Sequence, residues 1–117
     1  MKKAIAVFAF TIMFVAGAAY ADLVTVVEIN IVNDTGAMID KIEVSPDYRP
    51  DSWIEVPIST WVIREGETYR MQFREFVGYN TDIFNVRLRD SQGRYYTLRN
   101  QDLPHTSTMR FSTAQRN

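Results

Sequence analysis

The feature that most constrains the fold is the segment 81–100, which reads TDIFNVRLRDSQGRYYTLRN. Apolar residues alternate with polar ones on both sides of a central polar run, the spacing of half-buried β-strands. Asp90 begins that run and Gly93 ends it. These residue types favour a type I turn followed by a residue with positive φ. The segment therefore predicts a β-hairpin.

The turn also predicts which residues of the hairpin face each other. A three-residue loop with a glycine bulge places Leu88 opposite Tyr96 and Arg89 opposite Tyr95. One face is then apolar and contains Val86, Leu88, Tyr96 and Leu98. The other face contains Arg87, Arg89, Tyr95, Thr97 and Arg99. A shift of one residue would mix the two sets, so the alternation and the turn support one register.

The first 21 residues have the order of a secretory signal peptide. Lys2 and Lys3 precede an apolar run, and Ala19 and Ala21 occupy the cleavage positions. A transmembrane anchor is the alternative, because residues 4–21 approach the ~17 residues that span a bilayer. The alanine-rich run and the cleavage site favour the signal peptide. We therefore expect residues 1–21 to be removed and residues 22–117 to form one periplasmic or secreted domain without an integral membrane segment.

The remaining chain reads as short strands separated by turns. Extended patterns cover 24–32, 38–44, 68–74 and the end of the chain, where Ser107, Met109 and Phe111 alternate. The segment 45–57 contains three prolines and is expected to be an irregular excursion. This pattern predicts an all-β fold, a small antiparallel β-sandwich of about six or seven strands. The chain has no cysteine, so its core must hold the fold without disulfides.

The order of several short motifs resembles a family of small secreted bacterial proteins of uncharacterised function. The matching residues are Asn33, Thr35, Gly36, Ile39, Val44, Ser45, Pro46, Trp53, Gly66, Glu67, Phe84, Val86, Gly93, Asp102 and Leu103. Members of that family often carry a cysteine pair where this chain has Asp82 and Pro104. The resemblance implies an exported β domain, and it carries over neither an activity nor any functional residue.

The residues offer little for catalysis or metal binding. His105 is the only histidine and follows a proline in a break, so we expect an exposed loop residue. A zinc site is implausible with one histidine and no cysteine. Calcium binding by the Asp-rich region 34–51 is conceivable, through Asp34, Asp40, Asp47 and Asp51. The alternative is that Asp34 supplies turn hydrogen bonds and the others solvate a loop. We expect no metal, no cofactor and no enzymatic activity.

Aromatic residues outside the hairpin could stack on a sugar or a peptide, or fill the core. They are Tyr48, Trp53, Trp61 and Tyr79. For Trp61 we expect a position in the core or at one end of it. The pattern leaves both possibilities open for Trp53 and Tyr48.

Charge is distributed unevenly along the mature chain. Residues 22–67 carry ten acidic and three basic residues, whereas 68–117 carry four acidic residues and eight arginines. Arginine offers a planar fork suited to carboxylates and phosphates. We predict a ligand-binding face with Arg87, Arg89, Tyr95 and Arg99, joined by Arg70 and Arg74 if their strand lies in the same sheet. In this prediction Arg89 lies over the Tyr95 ring. The alternative is that these arginines only discourage edge pairing.

The expected function is that of an exported binding module. An Arg-rich sheet face would contact an anionic envelope glycan or phosphate, or an acidic protein surface, and we expect no nucleic-acid partner. One alternative is a small hydrolase or Ca-dependent protein that uses the Asp-rich region. Another is a structural envelope protein that self-associates, acidic half against basic half. The sequence leaves the ligand and the oligomeric state open.

Overall fold

The computed structural model describes residues 26–74 and 79–117. The predicted signal peptide and the segment 75–78 lie outside the described residues. Seven strands follow one another in the described chain: β1 (Val26–Asp34), β2 (Ile39–Pro46), β3 (Ile54–Val56), β4 (Thr68–Arg74), β5 (Ile83–Asp90), β6 (Tyr95–Asp102) and β7 (Thr108–Ser112). Short 3₁₀ turns at Leu103–His105 and Thr113–Gln115 follow β6 and β7. The described part of the chain has no helix long and apolar enough to cross a membrane.

The strands form two sheets, which confirms the predicted all-β class. One sheet has the order β4-β1-β7 and the other the order β3-β2-β5-β6. All pairs are antiparallel except β1 with β7, which is parallel. That parallel pair was not predicted, because alternation in a five-residue strand says nothing about the direction of its neighbour.

The core lies between the two sheets. It is formed by the inward-facing apolar residues of the alternating strands. Phe73 of β4 and Phe84 of β5 meet across it edge to face, with ring centroids 5.2 Å apart. The other buried apolar side chains are Ile29, Ile31, Ile39, Ile42, Val44, Val56, Ile63, Met71, Val86, Leu88, Tyr96, Leu103, Met109 and Phe111.

The hairpin has the predicted register. Leu88 pairs with Tyr96 and Arg89 with Tyr95, and Gly93 has φ +83°. The pairing shifts beyond Leu98, where a bulge faces the buried Asn85. The Asn85 side chain accepts a hydrogen bond from the backbone N–H of Asn100, whose φ of +56° is left-handed. Asparagine tolerates that conformation better than most residues.

The proline-rich segment is more regular than predicted. Pro46 is the last residue of β2, opposite Phe84, and Ile54–Val56 pairs with β2 as an edge strand. A strand of three residues is too short to produce a recognisable alternation. The Ser45 hydroxyl donates to the Pro50 carbonyl at 3.0 Å, so the loop between β2 and β3 folds back over the sheet.

Candidate functional site

Arg87 and Arg89 of the hairpin lie on the outer face of the four-stranded sheet, where the alternation of β6 also predicts Arg99. Arg87 and Arg89 project from β5, and Tyr95 and Arg99 belong to β6. Strand β2 lies beside β5, with Glu43 opposite Arg87 and Lys41 opposite Arg89. The face therefore combines the hairpin with side chains from a distant part of the sequence. We refer to Arg87, Arg89, Tyr95 and Arg99, together with Glu43 and Trp53, as the outer face.

Arg87 is the fixed centre of this face. Its guanidinium carbon lies 4.1 Å from the centroid of the Trp53 ring and 4.2 Å from that of Tyr95. Its Nε donates to Glu43 at 2.7 Å, and only 21% of the side chain is exposed. The two rings and the carboxylate hold one rotamer, which lowers the entropy lost when this arginine binds a ligand.

The prediction that Arg89 stacks on Tyr95 is wrong, because the stacked residue is Arg87. In an antiparallel pair, the diagonal neighbour lies within reach of a long side chain. Arg87 occupies that diagonal position relative to Tyr95. Arg89 instead donates from Nε to Asp40 at 3.0 Å. This hydrogen bond, together with the negative charge of Asp40, raises the pKa of Arg89.

Both guanidinium groups keep donors for a ligand. With the described residues, Arg87 forms a side-chain hydrogen bond through Nε alone, and Arg89 uses Nε for Asp40 and has the Tyr95 hydroxyl as a further partner. Arginine has five N–H donors, so each guanidinium keeps Nη donors for a ligand. Arg99 is exposed, and its side chain has no ion-pair partner within 26–74 and 79–117. The three arginines can therefore offer hydrogen bonds to an anion while two of them are held in place.

Arg70 and Arg74 do not join this face. Their strand β4 is an edge of the three-stranded sheet, so the condition under which they would join the hairpin arginines is not met. Arg70 contacts Glu28 at 3.1 Å, and Gln72 donates to the same carboxylate at 2.8 Å. Sequence alternation identified both arginines as outward, but it could not assign their strand to a sheet.

The uneven charge along the chain is largely balanced within the domain. Four ion pairs each join an acidic residue of the first half to an arginine of the second: Glu28–Arg70, Asp34–Arg110, Asp40–Arg89 and Glu43–Arg87. The strands of the first half lie beside those of the second, which brings the opposite charges together. The uneven distribution of charge along the sequence therefore reflects ion pairs between neighbouring strands of one molecule.

The Asp-rich region forms no metal centre within the described residues, where no group of three potential ligand side chains occurs. Asp34 and Asp40 are occupied by arginines. The prediction that Asp34 supplies turn hydrogen bonds is wrong, because its neighbour Asn33 does so. The Asn33 amide oxygen accepts from the N–H and the hydroxyl of Thr35.

The aromatic residues outside the hairpin differ in environment. Trp61 is 86% exposed, so its expected place in the core is wrong. Its φ of +73° lies in the left-handed region, which is uncommon for a residue other than glycine. Tyr48 is also exposed, whereas Tyr79 packs partly against the core. Trp53 belongs to the Arg87 stack, a role that its sequence position alone does not reveal.

His105 lies on an exposed 3₁₀ turn, in agreement with the expected loop position. Its Nδ1 is 3.1 Å from an Asp102 carboxylate oxygen, and 79% of its side chain is exposed. Within the described chain no hydroxyl group hydrogen-bonds to its Nε2. A nucleophile activated by histidine requires such a contact.

Comparisons of the chain with protein-family models, with curated proteins and with solved structures gave no match. The motif resemblance to small secreted bacterial proteins therefore stays a prediction.

Proposed function

We propose that this protein is an exported, non-catalytic binding module, and that its outer face binds an anionic polymer. The observation that carries the proposal is Arg87, held between Trp53 and Tyr95 with its Nε on Glu43 and its Nη groups available. A guanidinium fixed in this way presents a planar pair of donors to a carboxylate, phosphate or sulfate group.

The surroundings of Arg87 favour a polymer over a single small anion. Arg89 projects from the same strand as Arg87, and the alternation of β6 predicts Arg99 beside them, so successive anionic groups of one chain can be bound together. Trp53 and Tyr95 are only partly buried and offer ring surface on which a sugar can stack. Among anionic partners, the combination of rings and guanidinium groups favours an acidic glycan over an acidic protein surface.

The other hypotheses receive less support from the contacts. The first-half carboxylates that would bind calcium or perform hydrolysis include Asp34 and Asp40, which are engaged by arginines. Association of an acidic half with a basic half of another copy would have to break the ion pairs that those halves already form within one chain.

The proposal is tested by retention on immobilised heparin, polygalacturonate and polyglutamate, as sulfated, carboxylated and peptidic probes. We expect stronger retention on the two glycans than on polyglutamate, and elution by salt, because exposed charges are screened beyond ~8–10 Å at physiological ionic strength. Arg99→Ala should elute at lower salt than the unmodified protein. Arg110→Ala is the matched control, since it removes the same charge from the other sheet. Equal elution of both variants would contradict the proposed face.

Export is tested separately by intact mass. Expression of residues 1–117 should yield a chain that begins at Asp22, after removal of residues 1–21. Recovery of the uncleaved chain in the membrane fraction would contradict the proposed signal peptide.

A further inference from the structure

Two polar side chains are buried on the outward side of the four-stranded sheet. Ser45 of β2 and Asn85 of β5 face each other in the strand pair. Their neighbours Val44 and Val86 belong to the core, so the alternation of the strands directs Ser45 and Asn85 away from it. Both residues are nevertheless buried, with exposures of 0% and 2%. Residues outside the core must therefore cover them.

The loop between β2 and β3 lies over this pair. The Ser45 hydroxyl donates to the Pro50 carbonyl at 3.0 Å, which ties the middle of the loop to the sheet. Continuing the β2–β3 register by one residue beyond Ile54 places Trp53 beside Ser45. The Trp53 ring lies 4.1 Å from the guanidinium carbon of Arg87, which projects from the strand beyond β2. The loop that carries this ring is therefore the one that Ser45 holds.

The hydrogen bonds around the pair have one direction. The Asn85 amide oxygen accepts from the backbone N–H of Asn100 at 3.1 Å, and its Nδ2 donates to the Ser45 hydroxyl at 3.2 Å. That hydroxyl in turn donates its proton to Pro50. Because the chain begins at a group that can only donate and ends at one that can only accept, neither side chain can reverse its role.

This chain of hydrogen bonds opposes displacement of the loop. If the loop moved off the sheet, the Ser45 hydroxyl and the Pro50 carbonyl would lose each other as partners. A buried polar group without a partner costs free energy, because it has given up its hydrogen bond to water without replacement. The position of the loop is therefore coupled to Ser45 and Asn85.

We propose that Ser45 and Asn85 are positioning residues of the outer face, which hold the loop so that Trp53 lies against Arg87. Their effect on binding rests on the proposed function. Neither side chain touches the ligand, since both are buried. The affinity for an anionic glycan then depends on two side chains that the glycan cannot reach.

Two variants interrupt the chain of hydrogen bonds. Ser45→Ala removes the donor to Pro50. Asn85→Asp keeps an acceptor for Asn100 but replaces the amide donor, and its carboxylate draws the Ser45 hydroxyl away from Pro50. Ser45→Thr keeps the hydroxyl and is the conservative variant. Thr35→Ala is the matched control, because it removes a buried hydroxyl from the turn between β1 and β2.

The first measurement is acrylamide quenching of Trp53 fluorescence, without a ligand. Trp53 and Trp61 are the two tryptophans of the chain, so all variants are made in Trp61→Phe, which leaves Trp53 as the single indole. Quenching should increase in Ser45→Ala and Asn85→Asp and stay unchanged in Ser45→Thr and Thr35→Ala. Unchanged quenching in folded Ser45→Ala would overturn the proposal. Should Asn85→Asp fail to fold, Ser45→Ala provides the same test.

The second measurement is the dissociation constant for the better bound of the heparin and polygalacturonate oligosaccharides. It should rise on the order of fivefold in Ser45→Ala, about the effect of one hydrogen bond, and stay unchanged in Thr35→Ala. In a Trp53→Ala background, Ser45→Ala should cause no further rise, because a positioning residue acts through the residue that it positions. An equal rise with and without Trp53 would overturn the proposal.

The two measurements separate this inference from the proposed function. If the unmodified protein bound neither glycan, the proposed function would be contradicted. The quenching of Trp53 would still show whether Ser45 and Asn85 position its ring.

Discussion

At the residue scale, Asp90 is the side chain that organises the end of the hairpin. Its carboxylate is fully buried, and it accepts hydrogen bonds from the backbone N–H groups of Gln92 and Arg94, from Arg94 Nε and from the Tyr96 hydroxyl. Burial alone would raise the pKa of Asp90, but these hydrogen bonds lower it to about 2. The turn therefore depends on a charged carboxylate in the protein interior.

This environment predicts a specific loss of stability in acid. Because the pKa is lower in the folded state than in the unfolded state, Asp90 stabilises the fold above its ordinary pKa of 3.8, and that contribution disappears as the pH falls towards 2. Its size is about 2 kcal/mol. Urea melts between pH 7 and pH 2.5 should show the unmodified protein losing this much more stability than Asp90→Asn, which cannot titrate. Parallel losses in the two proteins would contradict the prediction.

Asn33, near the C-terminal end of β1, fixes a second turn through its side chain, as Asp90 does in the hairpin. Its Nδ2 donates to the carbonyls of Ala37, Ile63 and Arg64, at 2.8 to 3.1 Å. It thereby joins the β1–β2 turn to the segment that precedes β4.

We expect Asn33→Ala to cost about 2–4 kcal/mol of unfolding free energy, because it removes three side-chain hydrogen bonds and leaves the buried N–H of Thr35 without its acceptor. Asn33→Asp keeps the shape but removes the donors and should cost at least as much. Equilibrium urea unfolding measures both. A cost below about 1 kcal/mol for each variant would contradict the role assigned to Asn33.

At the element scale, the hairpin was predictable and its neighbours were not. Alternation and turn chemistry are local, so the pairing of Leu88 with Tyr96 follows from the sequence. The position of β2 beside β5 depends on contacts between residues more than forty positions apart, and Glu43 could not be identified as the partner of Arg87. For the same reason the outward position of Arg70 was predictable but its sheet was not. Trp61 misled the prediction because a large aromatic side chain is usually buried, whereas this one is exposed on a residue with a left-handed backbone.

The hairpin also provides a stability comparison between two adjacent residues. Leu88→Ala should cost about 2–5 kcal/mol, the range for truncation of a fully buried leucine. From the sequence alone Arg87→Ala would change stability by less than ~0.5 kcal/mol, like most surface substitutions. The structure raises that expectation to about 1–2 kcal/mol, since the substitution leaves Glu43 largely covered without its partner. Urea melts of both variants show which substitution costs more unfolding free energy. A larger loss in Arg87→Ala than in Leu88→Ala would contradict this account of the two faces.

At the scale of the whole molecule, the fold brings an acidic half and a basic half together and neutralises most of their difference. The domain is net acidic, with 11 basic and 14 acidic residues in the predicted mature chain. The net charge of the domain therefore repels an anionic polymer, and any attraction must come from the arginines of the outer face. A pre-ordered arginine between two rings is one way to obtain such local binding, because it limits the entropy lost on association.

The most direct test of this claim replaces the geometry of Arg87 while keeping its charge. Arg87→Lys removes the planar fork and weakens the stack between Trp53 and Tyr95, and Arg110→Lys makes the same change on the other sheet. Dissociation constants for heparin and polygalacturonate oligosaccharides should be measured by calorimetry at constant ionic strength. We predict that Arg87→Lys raises the dissociation constant for the preferred oligosaccharide on the order of tenfold, about 1.4 kcal/mol, and that Arg110→Lys leaves it unchanged. Equal affinity of folded Arg87→Lys and the unmodified protein would contradict the claim that the fixed guanidinium is the centre of the binding face.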